Sequence, residues 1–346
     1  MASNKSLHAA KKTKKDEFYT RREDIENELS HYADHFRDKV VYCNCDDPVT
    51  SEFWQFFMRN FRPWGLKKLI ATHYEPDEKN YAYMLEISED TNGDGVVDWR
   101  DEPTITQIPC NGDFRSAACI ELLKQADIVV TNPPFSLVRE YIQQLIAYNK
   151  EFVIIGPLSV ITYKETFPLL RDNKMWVGYG FSGGNAYFHI PHGCAENYAD
   201  GVYNSETGLV HFRNCTWFTN IDIKKRHIPL DLRGNYYSGN ENTYPRYENF
   251  DGIDVGRLSD IPCDYFGYIG VPQTYASVHC PDQFEIIGVG SGYLGQSIGI
   301  GGIAKEHKAM MRGHSAAGDL YYMKDGKPKV PYARLVIRRK EQPHED

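Results

Sequence analysis

Between residues 39 and 158, short apolar runs alternate with helical patterns, and this alternation constrains the fold more than any other feature of the chain. The runs are KVVYCNC (39–45), KKLIATHY (67–74), DIVVTN (127–132) and EFVIIGPL (151–158). Each is apolar continuously, not at every second residue, as expected of strands covered on both faces of a parallel sheet. SEFWQFFMRNF (51–61) and SAACIELLKQA (116–126) carry helical patterns between them. A further apolar stripe of Leu137, Val138, Tyr141, Ile142, Leu145 and Ile146 follows DIVVTN, with Ser136 placed to cap that helix. Strand–helix–strand order of this kind predicts a doubly wound α/β sheet.

Past residue 175 the texture changes. GYGFSGGNAYFHIPHG and RGNYYSGNENTYPRYENF are dense in Gly, Tyr, Asn and Pro, which predicts short β segments and long loops. The tail LYYMKDGKPKVPYARLVIRRK predicts a hairpin around Asp325-Gly326. At 346 residues the chain is long enough for a sizeable core and two lobes. The change in texture divides it into 1–225, with an acidic insertion at about 75–110, and 226–346. Its composition, 41% hydrophobic and 25% charged, is that of a globular protein. No apolar run approaches the ~20 residues of a membrane helix. The N-terminal MASNKSLHAAKKTKK lacks the apolar core of a secretory signal. Eight cysteines without a CxxC pair or zinc spacing fit reduced thiols in a cytoplasmic protein.

The net charge of −8 disguises an uneven distribution. Residues 75–102 hold ten acids against Lys79 and Arg100, so the remainder is neutral. Residues 305–340 carry ten Lys/Arg and three acids, and residues 1–22 seven and two. Such basic ends either grip phosphates locally or serve as solvated tails.

The segment DIVVTNPPFSLVREYI (127–142) poses a chemical question at its turn. Pro133 pushes Asn132 into an extended conformation, and the two proline rings lock φ and remove two donors. The result is a stiff shelf with two fixed acceptors, the Asn132 side-chain carbonyl and the Pro133 main-chain carbonyl. Phe135 sets a flat ring beside them. Two acceptors and a ring suit the exocyclic amine of a planar base. Accepting both amine hydrogens localises the nitrogen lone pair, which can then attack an electrophilic methyl in line. The plain alternative is an ordinary Asx-Pro turn.

These residues resemble a known family. NPPF at Asn132, Pro133, Pro134 and Phe135 is the signature of amino-group DNA methyltransferases that use S-adenosylmethionine. KKDEFYTRREDIENEL (14–29), DKVVYCNCDDP (38–48), LKKLIAT (66–72), the run from GDFRS to SLVREYI (112–142), WFTN (217–220) and GVPQTY (270–275) extend the match. Together they are similar to the EcoRI-type adenine-specific DNA methyltransferases. The resemblance implies a Rossmann-like class I methyltransferase sheet and a loop-rich C-terminal target-recognition region, in the gamma motif order. It implies a monomer that methylates adenine N6 in double-stranded DNA after base flipping, with S-adenosylmethionine as cofactor and a cognate restriction endonuclease as companion. Two alternatives stand beside it: an amino methyltransferase acting on RNA or protein glutamine, and a DNA-binding relative that has lost cofactor binding.

The resemblance also assigns residues. Tyr19 and Thr20 in DEFYT would hold the methionine end of the cofactor, Thr20 near its carboxylate, unless Phe18-Tyr19 only packs on the sheet. Asn44, Cys45, Asp46 and Asp47 replace the glycine-rich loop usual in methyltransferases, and Asp46 or Asp47 would meet the methionine amine. Glu75 would bind the ribose, with Asp77 and Glu78 as rivals. Asp113 would accept from the cofactor adenine while Phe114 stacks, or Asp113 caps a helix. Phe181, Tyr187 and Phe188 are candidates to stack on the extruded base, against core packing. Lys224, Lys225, Arg226, Lys305, Lys308, Arg312, Arg334, Arg338 and Arg339 are candidates for the DNA backbone.

Two further signals remain. DTNGDGVVDWRD (90–101) has the spacing of a calcium loop, with Asp90, Asn92, Asp94, Val96, Asp98 and Asp101 at the ligand positions. The alternative is an acidic hairpin between sheet strands. GSGYLG (290–295) matches GxGxxG, but the glycines of QSIGIGGI predict a flexible loop where a dinucleotide site needs a helix.

Overall fold

The computed structural model describes residues 18–45, 47–75, 82–190, 198, 201–237, 239–311 and 316–340. The chain divides into two compact units, Met1–Val160 with Val177–Ile223, and Ile161–Trp176 with Lys224–Asp346. The segment Ile161–Trp176, expected within 1–225, thus belongs to the second unit.

In the first unit, β1 (Tyr19–Thr20) leads into α1 (Arg22–Leu29). Then come β2 (Val40–Cys43), α2 (Glu52–Trp64), β3 (Lys68–Thr72), β4 (Tyr83–Ile87) and β5 (Thr104–Gln107). Next follow α3 (Ala117–Gln125), β6 (Ile128–Thr131), α4 (Val138–Ala147) and β7 (Glu151–Pro157). β8 (Trp176–Val177) starts on the last residue of the segment counted with the second unit, and the first unit then ends with β9 (Asn185–His189), β10 (Tyr203–Asn204), β11 (Leu209–Arg213) and β12 (Cys215–Thr219).

The main sheet is mixed and eight-stranded, in the order β5–β4–β3–β2–β6–β7–β12–β8. Its centre, β3–β2–β6–β7, is parallel, and these are the four continuous apolar runs. Every residue of β2 and β6 is buried, as two-sided cover requires. The chain leaves β2 for β3 on one side and later enters β6 on the other. The strand order therefore reverses between β2 and β6, and a crevice for ligands is expected outside the carboxyl ends there. The second sheet of this unit, β1–β9–β11–β10, is antiparallel.

Helix ends follow local chemistry. Ser51 caps α2 by accepting from the Phe53 amide, and Gly65, at φ +67°, terminates it in the left-handed conformation. Ser116 caps α3 by accepting from the Cys119 amide. The helix expected to be capped by Ser136 begins one position later, with Leu137 at its N-cap. Pro134 O accepts from the Leu137 amide at 2.8 Å, which tightens the turn, and α4 starts at Val138.

The second unit contains α5 (Phe167–Arg171), β13 (Gly252–Asp254), β14 (Tyr268–Pro272), β15 (Phe284–Val289), α6 (Gly292–Ser297) and α7 (Lys305–Met310). It closes with β16 (Tyr322–Lys324), β17 (Lys327–Lys329) and β18 (Arg334–Arg339). A sheet of order β13–β14–β18–β15 gives this unit its own core, with Leu335, Val336 and Ile337 fully buried. The expected hairpin is β16–β17, turned by Asp325 (φ 51°) and Gly326 (φ 70°). GSGYLG, expected as a loop, instead opens the short helix α6 after β15. Asp319 accepts from the Gly292 amide at 3.0 Å and from the Ser291 hydroxyl, so a carboxylate already sits where a dinucleotide phosphate would. Among the described residues no helix is long and apolar enough to cross a membrane.

Candidate active site

β2 and β6 lie side by side, and each is followed at its carboxyl end by a buried asparagine, Asn44 and Asn132. The two ends are tied together. The Thr131 hydroxyl donates to the Asn44 main-chain carbonyl, and the Tyr141 hydroxyl, from α4, donates to Asn44 Oδ1. Burial pushes the Tyr141 phenol well above its ordinary pKa, so it stays a neutral donor.

Asn132 is held differently. Its Nδ2 donates to the Phe18 main-chain carbonyl at 2.6 Å and to Thr20 Oγ1 at 3.3 Å. A carbonyl only accepts, so the nitrogen end of the amide must be the end that faces Phe18. Oδ1 is buried and has no hydrogen-bond partner. An unpaired buried acceptor costs about 1–3 kcal/mol, so its persistence calls for a functional explanation.

Phe135 sits half-buried in an aromatic cluster. Its ring centre lies 5.2 Å from Phe18, 6.1 Å from Phe188 and 6.1 Å from Phe212, and Phe18 meets Phe212 edge-on at 4.8 Å. The strand register explains this company. Thr20 and Val210 both pair with Phe188, and Phe212 follows Val210 by two, which puts these side chains on one face of the small sheet.

Of the three residues expected to stack on a base, Phe188 is fully buried, and Phe181 is buried with its ring stacked at 28° on Trp217, 5.8 Å away. Both belong to the core. Tyr187 alternates to the opposite face, where it stacks on His211 at 4.8 Å under the Arg21 guanidinium. The partly exposed rings beside Phe135 are Phe18 and Phe212, which sequence reasoning missed. The alternation in LVHFR carried the signal for Phe212, since a buried Val210 implies an inward Phe212.

The residues assigned to the cofactor fall into three groups. Tyr19 and Thr20 form β1, beside Asn132. Cys45 takes a left-handed φ of 66°, and Asp47 Oδ1 accepts from the Tyr83 hydroxyl at 2.7 Å and the Val49 amide at 3.0 Å. Asn111 joins Glu75 and Asp113: its main-chain carbonyl accepts from the Glu75 amide and its Oδ1 from the Asp113 amide. Gly112, at φ +79°, lets that loop cross the end of β3, where a Cβ would stand 2.0 Å from the His73 carbonyl oxygen. Asp113 is gripped by the Arg115 guanidinium, at 2.8 Å from Nε and 2.5 Å from Nη2, which holds its carboxyl below the ordinary range. It does not cap α3, because Ser116 does. Phe114 is 5% exposed and edge-on to Tyr141, so its expected stacking on a cofactor ring gives way to core packing. Asp46, Asp77, Glu78 and Arg312 lie outside the described residues.

Among the basic candidates, Arg334 is a correction. Its guanidinium forks onto the buried Asp254 at 2.8 and 3.1 Å, tying β18 to β13. Arg226 lies 3.9 Å over the Trp176 ring and bonds Asn173, Arg338 bonds Glu285 at 2.5 Å, and Arg339 lies over Phe266. Lys224, Lys305 and Lys308 are exposed and Lys225 half-buried.

The calcium expectation finds no support. Among the described residues no group of three or more His, Cys, Asp or Glu is arranged to hold a metal. Arg100 reaches Asp98 at 2.6 Å and Asp94 at 3.0 Å, lowering the Asp98 pKa to about 2. Asp90 and Asp101 accept from main-chain amides of the loop. A guanidinium and amides thus occupy the carboxylates expected as calcium ligands, and the segment is the acidic connection of the β4–β5 pair.

Comparison with known proteins decides the family. The model of the EcoRI adenine-specific methyltransferases matches residues 6–340. The chain belongs to that family. It is 44% identical to the type II methyltransferase M.EcoRI of Escherichia coli over 98% of each chain. It is 36% identical to the type II methyltransferase M.MpnI of Mycoplasma pneumoniae, over 81% of this chain and 84% of that one. A Mycoplasma genitalium relative, M.MgeORF184P, is likewise 36% identical. No solved structure matches the chain. In this chain's NPPF turn, the unpaired oxygen belongs to Asn132.

Proposed function

We propose that this protein is a site-specific DNA methyltransferase that modifies adenine N6 in double-stranded DNA with S-adenosylmethionine. The observation that carries the assignment of the chemistry is the unpaired Oδ1 of Asn132 at the carboxyl end of β6. The first unit serves as a Rossmann-like class I methyltransferase domain. The second serves in target recognition, with 226–346 as its main part.

The residues at the strand ends fit the cofactor. Two buried polar atoms without partners, Asn132 Oδ1 and His73 Nδ1, stand at the carboxyl ends of β6 and β3, on either side of β2. Tyr19, Asn44, Cys45 and Asp47 would hold the methionine end, Glu75 the ribose and Asp113 the adenine. S-adenosylmethionine, when bound, supplies an electrophilic methyl group. Asn132 Oδ1 and the Pro133 carbonyl accept the two N6 hydrogens of the target adenine and localise its lone pair. Pro133 and Pro134 keep these acceptors from relaxing. No side chain has to change protonation state to activate the amine. Phe135 offers its face to the flipped base, which must part the rings of Phe18 and Phe212 to reach it.

Lys224, Lys225, Lys305 and Lys308 suit contacts to phosphates, with Arg226, Arg338 and Arg339 beside them. Because the relatives are named type II methyltransferases, a restriction endonuclease of the same specificity is the expected companion. The enzyme would act as a monomer in the cytoplasm. Methylation-sensitive sequencing of DNA from cells expressing the protein tests the reading. N6-methyladenine confined to one sequence context is expected, and unmodified adenine throughout overturns it.

A further inference from the structure

We infer that Thr20 is a positioning residue for methyl transfer, acting through the amide of Asn132 and not as a contact to the cofactor carboxylate. The inference rests on the role proposed for Asn132.

The Asn132 Nδ2 carries two hydrogens, and two acceptors stand within reach, the Phe18 carbonyl at 2.6 Å and Thr20 Oγ1 at 3.3 Å. Together they satisfy the nitrogen end completely. Turning the amide over would press Oδ1 against the Phe18 carbonyl oxygen, acceptor on acceptor. The oxygen is therefore held in one direction, and that is the end left without a partner.

Thr20 is itself well fixed. It is 2% exposed, and its main chain is in register with Phe188 of β9. The next residue, Arg21, clamps the buried Asp24 with bonds of 2.9 and 3.1 Å, which anchors the exit of β1. A threonine hydroxyl so placed, with its polar atom on the amide, has the geometry of a brace. Removing it leaves only the Phe18 carbonyl to orient Asn132 and frees rotation of the amide about that single bond. Small misplacement of an acceptor at a reacting atom is costly to turnover.

The experiment compares Thr20→Val, Thr20→Ala and Thr20→Ser with the wild-type full-length protein, each first checked for an unchanged melting transition. The readouts are S-adenosylmethionine affinity by calorimetry and methyl transfer to duplex DNA at saturating cofactor and DNA. Thr20→Val is expected to lower kcat about tenfold to a hundredfold, with cofactor affinity within about twofold of wild type. Thr20→Ser, which restores the hydroxyl, should return kcat to within about threefold. If Thr20→Val does not fold, Thr20→Ala takes its place with the same expectation. Cofactor affinity weakened about tenfold or more returns Thr20 to the cofactor and overturns the inference, whatever happens to kcat. Unchanged kcat and affinity overturn it as well. A wild-type protein that methylates no adenine sinks instead the reading of Asn132, which separates the two failures.

Discussion

Asn44 and Asn132 directly follow adjacent parallel strands, and both are buried. One has its side-chain oxygen taken by the Tyr141 hydroxyl, and the other does not. The difference lies in what each neighbouring element brings. α4 delivers a phenol to Asn44, whereas the Phe18 carbonyl and the Thr20 hydroxyl of β1 accept from the Asn132 nitrogen. The side-chain oxygen of Asn44 is thereby engaged and that of Asn132 is left unpaired, although each asparagine directly follows a central strand.

The sharpest break of this comparison is Asn132→Ala. Methyl transfer should fall at least about a thousandfold, about 4 kcal/mol in barrier, while S-adenosylmethionine affinity measured by calorimetry stays nearly unchanged. Retained turnover would put Asn132 on a level with Asn44. The same contrast between held and free groups recurs in the second unit. Arg334→Met strips the buried Asp254 of its guanidinium and should cost about 3 kcal/mol or more in denaturant unfolding, whereas Lys305→Ala should leave stability alone and weaken DNA binding in a salt-dependent way. A stable Arg334→Met variant with weakened DNA binding would restore Arg334 to the DNA interface. Asn44→Ala, smaller again, leaves the Tyr141 hydroxyl buried without an acceptor and should cost about 1–3 kcal/mol of stability. Its turnover should be reduced far less than that of Asn132→Ala, and equal losses would erase the distinction. Least of all, a calcium chelator should leave the melting temperature unchanged, because Arg100 and loop amides already engage the carboxylates of residues 90–101. A lower melting temperature in chelator would reverse that correction.

Much of the fold was legible because continuous apolar runs have few alternatives to a parallel sheet. The four central strands fall where their runs do, and Ser51 and Ser116 cap helices whose starts show in the pattern. The helix after NPPF began later than its candidate cap, because the Pro134–Leu137 turn used the intervening residues. Single aromatics and arginines were harder. Tyr187 and Phe188 are neighbours in sequence, yet strand alternation sends one toward Phe135 and the other away. Arg334 and Arg339 share a strand, but only Arg334 meets a buried aspartate.

By itself the sequence determined the α/β sheet, the family and the stiff NPPF turn, since apolar periodicity and proline stereochemistry act over a few neighbouring residues. Only the tertiary structure decided which end of the Asn132 amide is engaged. That depends on a carbonyl and a hydroxyl more than a hundred residues away, at Phe18 and Thr20, whose approach is set by sheet pairing and not by any local pattern.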